Sequence, residues 1–217
     1  LATLLQAQGI SALALHGDLD QRDRDQVLVR FANRSCSVLV ATDVAARGLD
    51  IAGVEAVISV DVPTDAEVHV HRIGRTGRAG ETGMALTLAT LDEMGAVGRI
   101  EQLQGRPSEW FPLDGLQPSS DKPLRAPMAT IHIQGGRKEK IRPGDVLGAL
   151  TADLGYTREQ VGKIDVNEFS TYVAVEASIA RDAAARLNGG RIKGKSVKAR
   201  LVPDWNTAAG RPDPGLS

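Results

Sequence analysis

Residues 105–127 hold five of the chain's ten prolines (Pro107, Pro112, Pro118, Pro123 and Pro127), together with Ser119 and Ser120. Proline fixes φ and removes an amide donor, so this stretch continues neither a helix nor a central strand. It reads as a linker, with Trp110 and Phe111 as candidates for docking on a neighbouring surface. Two blocks are therefore expected, in keeping with 217 residues, about one and a half typical domains. Their charges differ. Residues 1–104 carry 9 arginines and no lysine against 14 acids, a net of -5. Residues 128–202 carry 13 basic and 8 acidic side chains, a net of +5, and six of the seven lysines. The overall net of -1 conceals this opposition.

Hydrophobic residues at 42% and charged residues at 24% exclude wholesale disorder. No apolar run approaches the ~18 residues of a membrane span, and no signal peptide opens the sequence. A membrane partner is thus not expected, and a cytoplasmic location is. The lone Cys36 excludes an internal disulfide and a multi-cysteine zinc site; it reads as a packed thiol. His69 and His71, two apart, do not suit a metal pair on a helix, so no metal site is expected.

The first block alternates short apolar runs with helical patterns. Strands are expected at Ala12–Leu15, Ser37–Ala41, Ala56–Val60 and Gly83–Leu88, with helices around 20–33, 65–72 and 90–104. Thr64 with Glu67, and Thr90 with Glu93, have capping-box spacing. Such alternation predicts a parallel α/β sheet covered on both faces, with functional loops at the carboxyl ends of its strands. The second block predicts strand Ala129–Gln134, a basic loop Gly135–Lys140, and a helix from Pro143 to Leu154 stopped by Gly155. Strands Lys163–Val166 and Thr171–Val175, helix Ser178–Leu187 and strand Ser196–Val202 follow. This βαββαβ order is the split βαβ plan of RNA-recognition modules. The division is 1–104, a linker 105–127, a module 128–202 and a flexible tail 203–217, in which Trp205 reads as a docking aromatic.

Two stretches of the first block carry chemistry: Ala41-Thr42-Asp43-Val44-Ala45-Ala46-Arg47-Gly48-Leu49-Asp50 and His71-Arg72-Ile73-Gly74-Arg75-Thr76-Gly77-Arg78-Ala79-Gly80. Arg72, Arg75 and Arg78 recur every third residue, so on a helical turn they would point one way and repel unless they met phosphates. Arginine's planar fork suits a transferring phosphoryl group. The competing reading is an Arg-rich loop paired with the block's own carboxylates.

These segments resemble motifs V and VI of the DEAD-box RNA helicases, and His16-Gly17-Asp18 with Gln21 and Arg24 resembles the family's motif IVa. His71 separates the pattern from helicase families that place glutamine there. The second block is similar to the RNA-binding domain of the DbpA type. The likeness lies in Gly135-Gly136-Arg137-Lys138, Arg142-Pro143-Gly144-Asp145-Val146-Leu147-Gly148-Ala149-Leu150 and Gly190-Arg191-Ile192-Lys193-Gly194-Lys195.

The resemblance implies an α/β fold, a RecA-like parallel sheet domain followed by a smaller βαββαβ RRM-like domain. The sequence starts within a helix at Leu1, so the RecA-like sheet is expected to lack its first strand. Arg75 and Arg78 would be the catalytic arginines that reach the ATP γ-phosphate, a role worth ~10³–10⁵ in turnover. Asp50 would hold the ribose, Arg47 and Gly48 would shape that edge, and His71 would couple nucleotide state to the other helicase domain. Gly17, Arg24 and Thr42 would touch RNA phosphates and sugars. The cofactor would be ATP with Mg²⁺, the metal held by an N-terminal RecA-like domain whose P-loop and Asp-Glu-Ala-Asp box are absent here. The 217 residues alone are expected not to hydrolyse ATP. Implied partners are RNA, a 23S ribosomal RNA hairpin and pre-50S particles, and that N-terminal domain. The contrasting reading is a non-catalytic RNA-binding adaptor with a helicase-like lobe.

Residues 189–196, Gly-Gly-Arg-Ile-Lys-Gly-Lys-Ser, match the P-loop pattern, but a helix precedes them and a strand follows, the reverse of what phosphate cradling requires. They read instead with the module's cations. Arg191, Lys193, Lys195, Lys198 and Arg200, with Arg137, Lys138, Lys140, Arg142 and Lys163, form two basic loops flanking one sheet. Such clustering gives salt-sensitive RNA affinity. Tyr172 offers one stacking aromatic, while His132 and Ser170 stand where others are usual, so loops are expected to carry more of the recognition than stacking.

Overall fold

The computed structural model describes residues 1–46, 53–77, 82–118 and 120–203. By internal contacts these fall into two units: residues 1–41 with the described residues from 122 onward, and residues 42–121.

In the first unit, α1 (Ala2–Ala7) leads into β1 (Ala12–Leu15), which pairs in parallel with β2 (Val38–Ala41). The crossover is α2 (Gln21–Ala32), started by the Asp20 carboxylate, which accepts from the Asp23 amide at 2.7 Å. Ala12, Leu13 and Leu15 of β1 and Val27 of α2 are buried, so β1 is covered on both of its faces. Cys36 is buried, as expected of a packed thiol.

The same unit contains a four-stranded antiparallel sheet. It is built from β5 (Met128–Gln134), β6 (Val161–Val166), β7 (Ser170–Glu176) and β10 (Lys198–Leu201), in the order β10-β5-β7-β6. Two helices cover one face, α6 (Pro143–Gly148) and α7 (Ala180–Asn188). Ile131, Ile133, Val146, Leu150, Val173, Val175 and Leu187 are fully enclosed between them. Each such aliphatic side chain contributes about 1.5–3 kcal/mol, which makes this core the dominant stabilising feature of the unit. The expected βαββαβ order holds, with one addition: β8 (Arg191–Ile192) and β9 (Lys195–Ser196) form a hairpin before the last strand.

That hairpin settles the apparent P-loop. Lys193 and Gly194 at its tip both have positive φ, 53° and 75°, as a two-residue type I′ turn requires. The loop also leads into no helix, since α7 ends at Gly189 before it and β9 and β10 come after. The expected single helix from Pro143 to Leu154 also divides. Its second half, Ala149–Asp153, is a π-helical turn in which Leu154 N–H donates to the Ala149 carbonyl at 3.0 Å. The Thr151 hydroxyl donates to the Leu147 carbonyl (2.8 Å), competing with the amide ladder at the point where the helix widens.

The βαβ element and the antiparallel sheet meet along a polar seam. Thr130 Oγ1 of β5 accepts from Asn33 Nδ2 (3.2 Å) and lies 2.6 Å from Ser35 Oγ, all three residues being buried. The Ser11 amide donates to the Leu124 carbonyl and the Met128 amide to the Arg34 carbonyl. This seam is why the contacts of residues 1–41 fall with those from 122 onward, across the Pro-rich stretch at which the sequence divides.

The second unit contains α3 (Asp43–Ala46), β3 (Ala56–Ser59), α4 (Ala66–Ile73), β4 (Met84–Thr87) and α5 (Met94–Gln104). β3 and β4 are parallel, with Ala56 opposite Met84. The cap of α4 is Asp65, whose carboxylate accepts from the Glu67 amide (2.9 Å), and not Thr64 as the spacing suggested. Aspartate caps at least as well as threonine and stands one residue nearer the helix. The Thr90–Glu93 pair does form. Glu93 accepts from the Thr90 amide (2.8 Å) and hydroxyl (2.7 Å), and also from the Val62 amide (2.9 Å), which pins α5 to the end of β3. Trp110 and Phe111 are exposed, not docked.

Candidate functional site

In the second unit, the motif residues are organised by one arginine. Arg72, on the last turn of α4, donates from Nε and Nη2 to both carboxylate oxygens of Asp43, at 2.7 and 2.8 Å. Its Nη1 donates to the side chain (2.8 Å) and the carbonyl (2.9 Å) of Asp61. Arg72 therefore buckles α3, β3's exit and α4 together, and these bonds to two carboxylates hold its pKa well above the ordinary arginine value. The expected three-arginine face corrects accordingly: Arg72 meets the block's own acids. The helix closes at Ile73, so Arg75 leaves it; its Nε donates to the His71 carbonyl at 3.2 Å. His71 is exposed, and so is Thr42 ahead of α3. His69 is buried with no partner for its Nδ1 among the described residues, and burial, with the Arg72 charge, lowers its pKa. Gly77 has φ 66°, and a Cβ at Gly83 would come within 2.4 Å of its amide, so the loop after α4 lies hard against the start of β4. Arg47, Gly48, Asp50 and Arg78 lie outside the described residues, as does Trp205.

In the first unit, Gly17 is exposed in the turn between β1 and α2, and Arg24 is half-exposed on α2. The cations of residues 128–202 separate into groups. Arg137, Lys140, Arg142 and Lys193 line a cleft of about 500 Å³ floored by Ile141, Pro143 and Val166. Two loops, the one after β5 and the β8–β9 turn, make its walls. Lys193 Nζ donates to the Lys140 carbonyl (3.0 Å) and pairs with Asp145 (3.6 Å), while Lys195 Nζ donates to the Glu139 carbonyl (3.1 Å). The β5 loop is fixed at its other end by Gly136, where a Cβ would come within 2.3 Å of the Asn167 carbonyl; the Arg137 amide donates to that same oxygen at 2.8 Å. Lys140 and Lys193, at φ 61° and 53°, both hold the left-handed conformation that lysine rarely adopts. Such strain, about 1–3 kcal/mol per residue, gathers at ligand clamps.

The remaining cations lie elsewhere. Lys138 pairs with Glu168 (3.2 Å) and sits 5.9 Å from the exposed Phe169 ring, and Lys163 pairs with Asp165 (3.2 Å) on the opposite edge strand. Arg191 is exposed on β8. Lys198 and Arg200 share the open face of β10, as the alternation predicted. On that open face Arg200 stands opposite His132 in register, and His132 opposite Tyr172, their rings 5.0 Å apart. Asp145, Glu139 and Phe169 escaped the sequence reading. Phe169, an aromatic beside Asn167 at a strand connection, was the one with a visible signal.

Residues 1–80 match the family described as "Helicase conserved C-terminal domain", and residues 130–201 match the "DbpA RNA binding domain". With parallel-strand βαβ elements carrying these motifs and an RRM-like sheet after them, the chain belongs to the DEAD-box RNA helicases of the DbpA type, as their C-terminal part. It is 51% identical over 198 residues, 91% of its length, to the ATP-dependent RNA helicase DbpA of Escherichia coli, and spans 43% of that protein. The CshA helicase of Limosilactobacillus reuteri is 52% identical over 99 residues, 46% of this chain and 20% of that one. Among solved structures, the E. coli DEAD-box protein SrmB, bound to the regulator of ribonuclease activity A, superposes with a TM-score of 0.50 at 35% identity. That match covers 57% of this chain and 73% of SrmB's. No helix of the described residues is long and apolar enough to cross a membrane.

Proposed function

We propose that the whole protein is a cytoplasmic ATP-dependent RNA helicase whose residues 128–202 anchor it on 23S ribosomal RNA during large-subunit assembly. The observation that carries the RNA assignment is the cleft of about 500 Å³ into which Arg137, Lys140, Arg142 and Lys193 converge from two loops tied to each other. Its size suits a nucleotide and its charge suits phosphate. The domain division remains 1–104, 105–127, 128–202 and 203–217 in this reading. The kinship with a longer ATP-dependent helicase supports the rest.

In this reading residues 1–104 form half of a composite ATP site. Arg75 and Arg78 neutralise charge on the transferring γ-phosphoryl group, Asp50 holds the ribose beside Arg47 and Gly48, and His71 senses the opposing domain. Gly17, Arg24 and Thr42 contact the RNA strand. Arg72 positions this set by fixing α3 to α4. ATP brings a phosphoryl group to be transferred, and Mg²⁺ would be held by the P-loop domain of the whole protein. Among the described residues no three His, Cys, Asp or Glu side chains cluster as a metal site. The 217 residues by themselves are proposed to bind RNA without hydrolysing ATP.

The test titrates the chain with the 23S hairpin and with a shuffled hairpin across a salt series. Tight binding to the first alone supports a specific ribosomal anchor. Equal, steeply salt-dependent binding to both would leave a general phosphate clamp and remove the ribosome-assembly claim.

A further inference from the structure

A second cleft, of about 100 Å³, opens where α2 passes the open face of the antiparallel sheet, and it is lined by Arg22 and Gln26 of α2 with His132, Tyr172 and Arg200 of the sheet. Three of these side chains lack a protein partner, in full or at one atom, among the described residues. Neither Arg22 nor Arg200 has a hydrogen bond or ion pair among the described residues, and both project their positive field onto His132. His132 Nδ1 is buried without a partner. Burial foremost, and then the Arg200 and Arg22 charges, lower the His132 pKa, so the imidazole is neutral at physiological pH.

Two unpaired guanidiniums facing one cavity repel each other, and a buried imidazole nitrogen without a hydrogen bond is an energetic debit. One anionic, oxygen-rich group between the guanidiniums removes their repulsion. The volume admits about three water molecules' worth of ligand, which fits a phosphate and not a base with its sugar. We infer that Arg22 and Arg200 clamp a backbone phosphate of bound RNA, with the His132 ring as the floor of the cleft and the Tyr172 ring beside the flanking base. This site rests on the RNA-binding reading above and extends it: RNA held by the sheet also touches α2, the helix that carries Arg24. The polar seam of Asn33, Ser35 and Thr130 ties the two walls of the cleft to each other.

The test uses the intact chain and a single-stranded RNA oligonucleotide over a salt series. Arg22→Gln and Arg200→Gln are each expected to weaken binding about tenfold and to lower the slope of log K against log salt by about 0.7, the value for one single-strand phosphate contact. The double variant should lose less than the two single losses combined, since one phosphate is shared. Arg142→Gln, in the other cleft, serves as reference. Loss of affinity with Arg142→Gln but not with Arg22→Gln overturns this site and leaves the anchoring cleft standing. No loss with either overturns both. Inorganic phosphate provides the last arm: if it shifts the His132 ring resonances as far as RNA does at equal phosphate concentration, the cleft is a general anion site and the RNA assignment fails. Unaltered thermal melting of Arg22→Gln is expected, because the side chain is exposed.

Discussion

Arginine does opposite work in the two blocks. In the acid-rich first block, Arg72 makes four hydrogen bonds to Asp43 and Asp61, and its charge is consumed in holding three elements together. In the basic second block, Arg137 and Arg142 stand in a cleft where lysine heads donate to backbone carbonyls and Asp145 pairs with Lys193. The local balance of carboxylates decides whether a guanidinium becomes a structural buckle or stays available to a ligand. Residue type alone does not.

The largest effect that would sharpen this contrast is on turnover. In the whole protein, Arg75→Ala or Arg78→Ala should lower RNA-stimulated ATP hydrolysis by ~10³-fold or more with RNA affinity retained; unchanged turnover in steady-state assays would break the finger assignment. Arg72→Ala should instead destabilise the second unit, by about 1–2 kcal/mol in denaturant titration, because the tie between its elements is lost while water takes over the half-exposed carboxylates. Arg72→Lys should recover only part of this, lysine having no fork to engage Asp43 twice. A null result for Arg72→Ala would mean the bridge is ornamental.

The seam is next. Thr130→Val leaves the Asn33 amide buried without its partner, while the Ser35 hydroxyl keeps its bond to the Arg30 carbonyl, and should cost about 1 kcal/mol, measured by thermal and chemical melts. On the basic side, Arg142→Ala and Lys193→Ala should each weaken RNA binding about tenfold and flatten its salt dependence, with little change in stability. The smallest effect is on pH. His69 and His132 have folded pKa values below their ordinary value of 6.5, so the unfolded chain binds more protons as pH falls below that value. Their contribution to stability is full above about pH 6.5 and lost as pH falls through the folded pKa values. Melting temperature should therefore drop on acidification from pH 7 to 5, and His132→Gln should shallow that slope.

Much of the fold was legible because it rests on local pattern. The alternation of Val197, Ala199 and Leu201 with Lys198 and Arg200 gave the face of β10, and the Thr90–Glu93 spacing gave the start of its helix. What escaped depends on partners far along the chain or on competition at a single residue. Thr130 lies 97 residues from Asn33, and no periodicity links them. Asp65 displaced Thr64 by being nearer to the helix, and the π turn at Ala149–Asp153 leaves no mark in the helical pattern of the sequence. For the site, the cations of the anchoring cleft were readable as a charge cluster. The pairing of Arg72 with local acids was one of two open readings, and the place of Arg22 was not readable, since both depend on what the fold sets against them.

The left-handed lysines at 140 and 193 bear on how such a protein would respond to selection. Asparagine or glycine at position 193 would relax the type I′ turn and raise thermal tolerance, yet each deletes an ammonium from the cleft. A screen for heat resistance alone would enrich such replacements, and the survivors would be sturdier proteins that have let go of their RNA.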